Sequence, residues 1–312
     1  MKIAALVHMY PPYHNAGAEH MLHAMLSEAV NRGHRCVVVV DSGPCLPKYG
    51  FEPYVHDGVQ VTEDKRALRG SDVLLTHLDR TEDAETIALA RNIPLVQIFH
   101  NNARPEMMKH CDLAVYNTDW LRKAAPCDAP SIVIHPPIWA DTYRVDARGE
   151  HITLINLQKP KGVEMFYCLA QTMPELKFLG VKGSYGEQVA PPRTLPNLTI
   201  IENQKDIRKV YAETKILLMP SSYESYGRCA VEAAISGIPT IAHPTKGLRE
   251  ALGDYGTFPV PDSDSWKCAV NYVLETYAAR SREAKWLARN LDPAGDMTRF
   301  LAALDGLVES RR

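Results

Sequence analysis

Met219-Pro220-Ser221-Ser222-Tyr223-Glu224-Ser225-Tyr226-Gly227-Arg228-Cys229-Ala230-Val231-Glu232-Ala233-Ala234-Ile235-Ser236-Gly237-Ile238-Pro239 packs a strand end, a loop and a helix into one stretch. The apolar run from Ile216 to Met219 reads as a buried strand that ends at Pro220, and the small-residue run from Arg228 to Ser236 reads as a helix stopped by Gly237. A further strand follows at Pro239 to Ala242. Strand, loop, helix and strand in this order predict a parallel α/β sheet, whose ligands bind at the carboxyl ends of its strands. At the helix N-terminus the backbone amides of Tyr226, Gly227 and Arg228 have no intrahelical acceptor, and the aligned peptide dipoles there favour a phosphate. A carboxylate is repelled by that anion unless it turns toward hydroxyls. Glu224 in the loop and Glu232 on the helix therefore point to a ligand that carries both phosphates and sugar hydroxyls.

The same rhythm extends toward the N-terminus. Ile152 to Ile155 reads as a strand, Gly162 to Met173 as a helix, Lys177 to Gly180 and Leu198 to Ile201 as strands, and Ile207 to Glu213 as a helix. Leu154 to Gly162 links the first of these strands to its helix. Lys161 there puts an ammonium at the strand-to-helix link, where it can meet an anionic ligand group. Further upstream, Ile3 to Val7 predicts a strand, and Met21, Leu22, Met25, Leu26, Ala29 and Val30 mark one face of a helix over Ala18 to Asn31. Cys36 to Val40 contains four consecutive valines, as a strand covered on both faces does. Val73 to Thr76, Leu95 to Phe99, Leu113 to Tyr116 and Ser131 to Ile134 follow, so five or six parallel strands are expected in the first half.

Pro136-Pro137 and the polar stretch Asp141 to Glu150 interrupt the pattern and place a linker near residues 138 to 150. The expected organisation is a Rossmann-like domain over 1–145, a second over 146–290, and a helical segment over 291–312. Two long helical patterns, Ser265 to Arg289 and Asp296 to Val308, are expected to pack across both domains.

Composition narrows the function classes. At 312 residues, 46% hydrophobic and 23% charged, the chain is of globular and not disordered type. Thirty-five basic against 37 acidic residues, a net charge of −2, leave no global footprint for nucleic acid or an anionic membrane. A modest basic surface from Arg104, Lys109, Arg122 and Lys123 is the local exception. Seven scattered cysteines without a Cys-x-x-Cys pair argue against a disulfide framework or a cysteine zinc site. The apolar run Lys2 to Val7 is too short for a signal peptide and no stretch is long enough to span a membrane, so a cytoplasmic location is expected. There are 12 histidines, but none falls in a recognised zinc spacing. No metal is expected.

Three further positions are candidates in the first half. Gly17 lies between the first strand and its helix and permits close backbone approach. His100 follows the strand Val96 to Phe99, and His77 follows Val73 to Thr76, both at the strand ends where a parallel sheet forms its crevice.

Glu224, seven residues and Glu232, set in a Pro-Ser, Glu-x-x-Gly, Glu-Ala, Gly-x-Pro frame, resemble the retaining nucleotide-sugar glycosyltransferases of the GT-B fold, those like glycosyltransferase family 4. The opening Tyr10-Pro11-Pro12 and Gly17-Ala18-Glu19 extend the resemblance over nearly the whole chain. It implies two Rossmann-like domains facing each other across a cleft, the first on the acceptor side and the second binding the donor. It also implies Glu224 against the donor sugar, Glu232 on the ribose hydroxyls, and Gly227 letting the loop approach the diphosphate. Lys161 and Gly162 then belong to the donor site, and His100, with His77 as second choice, to the reacting centre. The family's usual arginine five residues before that lysine is replaced here by Asn156, and Arg228, Lys159 or Arg193 are the candidates to supply the missing charge.

The implied reaction moves a sugar from a UDP- or GDP-linked donor to an acceptor hydroxyl with retention, by a same-face route, without a metal or a further cofactor. The acceptor classes are glycan, small metabolite, lipid-linked sugar or modified nucleic acid. A GT-B-like sugar-nucleotide epimerase and a catalytically weak sugar-nucleotide or glycan-binding protein are the alternatives.

Overall fold

The computed structural model describes residues 1–41, 52–101 and 110–311. Cys45, Arg104 and Lys109 lie outside the described residues. The chain divides into two units, Met1–Pro137 with Asp292–Arg312, and Ile138–Leu291.

The first unit contains β1 (Lys2–Val7), α1 (Gly17–Asn31), β2 (Arg35–Val40), β3 (Tyr54–His56), β4 (Val59–Thr62), β5 (Val73–His77), α2 (Thr81–Arg91), β6 (Leu95–Phe99), β7 (Leu113–Tyr116), α3 (Asp119–Ala124) and β8 (Ser131–Val133). Its strands form one sheet in the order β3-β4-β2-β1-β5-β6-β7-β8. Every neighbouring pair is parallel except β3 with β4. The four valines of β2 are all buried, as a strand covered on both faces requires.

Eight described strands exceed the five or six expected, and the two beyond the six runs named in the sequence are the β3–β4 hairpin at the sheet edge. Its strands are too short for an apolar run: β3 has only Val55, which is 67% exposed, between Tyr54 and His56, and β4 alternates buried Val59 and Val61 with polar residues. The hairpin's signal was in its turn. Asp57 and Gly58 both have positive φ, 46° and 79°, the conformation that Asp-Gly supplies to a two-residue hairpin.

The second unit contains α4 (Ala140–Tyr143), β9 (His151–Ile155), α5 (Val163–Thr172), β10 (Phe178–Val181), β11 (Leu198–Ile201), α6 (Arg208–Glu213), β12 (Thr214–Met219), α7 (Arg228–Ile235), β13 (Thr240–Ala242), α8 (Lys246–Leu252), α9 (Ser263–Glu275) and α10 (Tyr277–Arg289). Its sheet is entirely parallel, in the order β11-β10-β9-β12-β13. Ile152, Leu154, Phe166, Phe178, Ile216, Leu218 and Trp266 fill the core between the sheet and the helices α5 and α9.

Two boundaries differ from expectation. The division falls at Pro137/Ile138 and not at 145/146, because Ile138 packs with Tyr226, Val231 and Ile235, while Tyr143, Val145 and Ala147 pack on the second unit's core. The pattern over Ser265 to Arg289 is two helices separated at Thr276, whose hydroxyl donates to the Tyr272 carbonyl at 2.6 Å beside its own N–H at 3.0 Å. The last helix, α11 (Pro293–Glu309), belongs to the first unit. Arg32 of α1 donates to Thr298 Oγ1 at 2.8 Å and to the Ala294 carbonyl at 3.1 Å, and Met297, Phe300, Leu301 and Leu304 form its buried stripe.

In each sheet the strand order reverses beside the unit's first long strand, where it meets a non-consecutive neighbour. In the first, β1 has β2 on one side and β5 on the other; in the second, β9 lies between β10 and β12. The loops leaving β1 and β5, and those leaving β9 and β12, open at these switch points, the places where parallel sheets bind ligands.

Candidate functional site

In the second unit the loops after β9 and β12 are locked together by their backbones. Ser222 N donates to the Pro160 carbonyl at 2.9 Å. Gly162, at φ 79°, ends the short 3-10 turn Lys159–Lys161, and a Cβ there would lie 2.3 Å from the Pro220 carbonyl oxygen. Only glycine permits this approach. Its result is that Lys161 and Glu224, 63 positions apart in sequence, meet: Lys161 Nζ donates to Glu224 Oε1 at 2.6 Å. Ser221 Oγ donates to the same oxygen at 2.8 Å. Burial alone would lower the Lys161 pKa, but the Glu224 carboxylate outweighs it and holds the ammonium above the ordinary lysine value. Both bonds fall on Oε1, so Oε2 keeps its lone pairs for a hydroxyl.

The helix α7 starts beside this pair. Its N-cap, Gly227, has φ 98° and no side-chain cap, and a Cβ there would lie 2.5 Å from Leu248 Cδ2. Arg228 opens the helix and reaches Glu232 one turn on, Nη2 standing 3.0 Å from Oε1, with the side chains only 9% and 8% exposed. Arg228 Nη2 also donates to the Tyr143 hydroxyl at 2.9 Å, and the Tyr211 hydroxyl donates to Glu232 Oε2 at 2.7 Å. Burial first and the Glu232 charge second push the Tyr143 phenol up to about 12. Both oxygens of Glu232 thus have protein partners, which leaves only their remaining lone pairs for a ligand hydroxyl. Arg228 Nη1 is buried without a partner.

Asn156, at the position of the missing arginine, is 8% exposed and has φ 75°. Its Oδ1 accepts from Gln188 Nε2 at 3.1 Å, and a Cβ on Gly183 would lie 2.4 Å from that oxygen. Lys159 and Arg193 are exposed. Of the three candidate replacements, Arg228 is the buried one at the helix start.

The first unit gathers a different chemistry at its switch point. His8 follows β1, His77 ends β5, His100 follows β6, and Gly17 opens α1, whose first turn carries Glu19. His77 Nδ1 and His100 Nε2 are 2.9 Å apart. Glu19 Oε1 lies 3.6 Å from His8 Nε2 and 3.9 Å from His14 Nε2. Desolvation raises Glu19 to about 7 and pushes His77 well below the usual imidazole range; His8 and His14 are lowered for the same first reason.

The expected residues therefore form two groups, each within one unit: His77 with His100, and Lys161 with Glu224 beside Arg228 and Glu232. Several contributors carried too little local signal to be singled out. Ser221, Tyr143, Tyr211 and Gln188 act through partners distant in sequence. Gly247 was more accessible, since Thr245 caps α8 by accepting from Leu248 N, a recognisable helix start. A Cβ on Gly247 would lie 2.2 Å from the Glu224 carbonyl oxygen, so α8 closes directly on the Glu224 loop.

Residues 194–286 match the family model described as Glycosyl transferases group 1. Glycogen synthase of Aquifex aeolicus (strain VF5) is 28% identical over 163 residues, covering 47% of this chain and 35% of that protein. D-inositol 3-phosphate glycosyltransferase of Mycobacterium sp. (strain KMS) is 25% identical over 180 residues, covering 49% and 41%. The matches therefore reach less than half the length of either relative. Among solved structures, sucrose-phosphate synthase from Thermosynechococcus elongatus superposes with a TM-score of 0.79 at 14% identity over 99% of this chain and 100% of that one. HepE of Anabaena in complex with UDP-glucose gives 0.78 at 18% identity over 98% and 100%. The match to the Glycosyl transferases group 1 model thus lies within the second unit, and the fold of the chain is GT-B.

Proposed function

We propose that the protein is a retaining glycosyltransferase that moves a hexose from a UDP- or GDP-linked donor to an acceptor hydroxyl, without a metal at the diphosphate. The observation that carries this reading is the Lys161 ammonium held 2.6 Å from Glu224 at the switch point of the second sheet, beside the uncapped N-terminus of α7. The diphosphate lies against the α7 amides and Lys161, and the sugar hydroxyls turn to Glu224 Oε2. When the bond from the sugar to phosphate lengthens, negative charge collects on the diphosphate and positive charge on the sugar carbon. Lys161 and the helix dipole stabilise the first, which lowers the barrier to departure. Glu232 binds the ribose, and Arg228 supplies the cation that Asn156 does not. His100, oriented by His77, serves the reacting centre. Glu224 is a positioning and electrostatic group here, with no covalent intermediate on it, and the departing phosphate takes the acceptor proton.

HepE, whose solved structure holds UDP-glucose, shares the fold and supports a nucleotide-sugar donor. The acceptor is a glycan, metabolite, lipid-linked sugar or modified nucleic acid. Among the described residues no helix is long and apolar enough to cross a membrane, so no spanning segment of these residues has to be accommodated. We place the reaction in the cytoplasm, where free thiols such as Cys36 and Cys111 stay reduced.

The test is release of nucleoside diphosphate from UDP- and GDP-sugars, with and without a panel of acceptors, and the anomeric configuration of the product by NMR. Acceptor-dependent release with retention supports the proposal. Inversion, or a donor converted to its epimer without an acceptor, rejects it. One observation favours a second reading, a binding protein without turnover: the buried amide of Asn156 stands where a cation is usual. Donor binding with no release under any acceptor would establish that reading.

A further inference from the structure

We propose that His8, Glu19 and His77, at the switch point of the first sheet, bind one divalent transition-metal ion of the zinc class. Their ligand atoms all lie within 4.8 Å of one another, although the residues come from the end of β1, the first turn of α1 and the end of β5. His8 Nε2 and Glu19 Oε1 are 3.6 Å apart. This is too long for a hydrogen bond and near the ~3.3 Å edge of a tetrahedron with bonds of ~2.0–2.1 Å to zinc. His77 Nε2 is buried without a hydrogen-bond partner, as are the second carboxylate oxygen, Glu19 Oε2, and the His8 ring nitrogen farther from Glu19 Oε1, Nδ1. Glu19 is 1% exposed and His77 is fully buried, so neither can satisfy these atoms from bulk water.

The contact behind the site fits as well. With the ion on His77 Nε2, the ring's proton sits on Nδ1 and is donated to His100 Nε2, 2.9 Å away, which fixes both the ring and its tautomer. Two imidazoles and a carboxylate, with water completing the coordination, suit zinc and its first-row neighbours. Magnesium and calcium ask for oxygen donors throughout. The second histidine cluster, His23, His56 and Asp57, is engaged within itself: His23 Nδ1 is 2.9 Å from the Tyr10 hydroxyl, and Nε2 is 3.0 Å from Asp57 Oδ2. All three ligands belong to the first unit. The ion ties the ends of β1 and β5 to the start of α1.

The site is tested on the full chain, stripped with a chelator and titrated near neutral pH with Co2+ and then Zn2+. The expected result is one Co2+ per chain with the visible absorption of a mixed nitrogen and oxygen site, displaced by Zn2+. His8→Ala and Glu19→Gln weaken binding by at least about 100-fold, His100→Ala by about 10–100-fold, and His56→Ala leaves it unchanged. Absence of stoichiometric binding or of cobalt bands in the unaltered chain overturns the proposal. So does unchanged affinity in both His8→Ala and Glu19→Gln, or loss of binding in His56→Ala, which assigns the ion to the other cluster. The cobalt spectrum of the unaltered chain decides the matter even where a variant fails to fold.

Discussion

In the second sheet the strands that part at the switch point, β9 and β12, send out Lys161 and Glu224, and these meet in a charged hydrogen bond of 2.6 Å. In the first sheet the corresponding strands, β1 and β5, send out His8 and His77, each of which keeps a buried ring nitrogen with no protein partner. The backbone topology is the same and the side-chain logic is opposite. A lysine held by its counter-charge is preorganised: the pair keeps the ammonium positioned until a diphosphate competes for it. Neutral imidazoles beside a raised carboxylate have no such internal partner, so their arrangement is complete only with an occupant.

The largest effect expected from this contrast is on rate. Lys161→Ala should lower kcat about a hundred- to a thousandfold with little change in KM, because the ammonium acts mainly on charge made as the donor bond breaks. Steady-state kinetics in which only KM rises would recast Lys161 as a plain binding group. Next is stability. Glu232→Ala leaves Arg228 buried without its counter-charge and should cost about 3–5 kcal/mol, seen as a lower urea midpoint, together with weaker donor binding. Adding Arg228→Met should recover the midpoint and not the donor affinity, which separates the structural part of Glu232 from its ligand part. Gly162→Ala forces a Cβ toward the Pro220 carbonyl at a positive φ and should cost about 1–3 kcal/mol while pulling Lys161 from Glu224, so transfer falls by more than stability alone explains. The smallest is in the first unit. In the chelator-stripped chain His77→Leu should cost about 1 kcal/mol or less, since His77 Nε2 has no partner to lose and only the bond to His100 goes. A cost as large as that of Glu232→Ala would mean that the two switch points are braced alike after all.

How much of this is legible in the sequence follows from how far each signal reaches along the chain. Buried parallel strands announce themselves locally, so β2 with its valines and β12 before Pro220 were readable from a few residues each. The β3–β4 hairpin was not, because an edge strand with Val55 outward has no apolar run; the Asp57-Gly58 turn was the cue that remained. At the site, Arg228 and Glu232 were both evident as one turn of helix, but not their bond to each other, nor Tyr143 and Tyr211, which approach from other elements. The histidine and carboxylate cluster is the furthest from local view. Zinc spacings known from short motifs rely on ligands on one hairpin or helix, whereas His8, Glu19 and His77 become neighbours only when β1 pairs with β5.

The position of α11 has a consequence for how the polypeptide is made. Residues 138–291 interrupt the first unit, and the helix over Pro293–Glu309 returns to it, burying Met297, Phe300, Leu301 and Leu304 against that unit. During synthesis the inserted unit is finished and free to fold while its host still lacks a helix, so the earliest residues to leave the ribosome are among the last to reach their native packing. A premature stop just after Leu291 would spare the later-made unit and strand the earlier one.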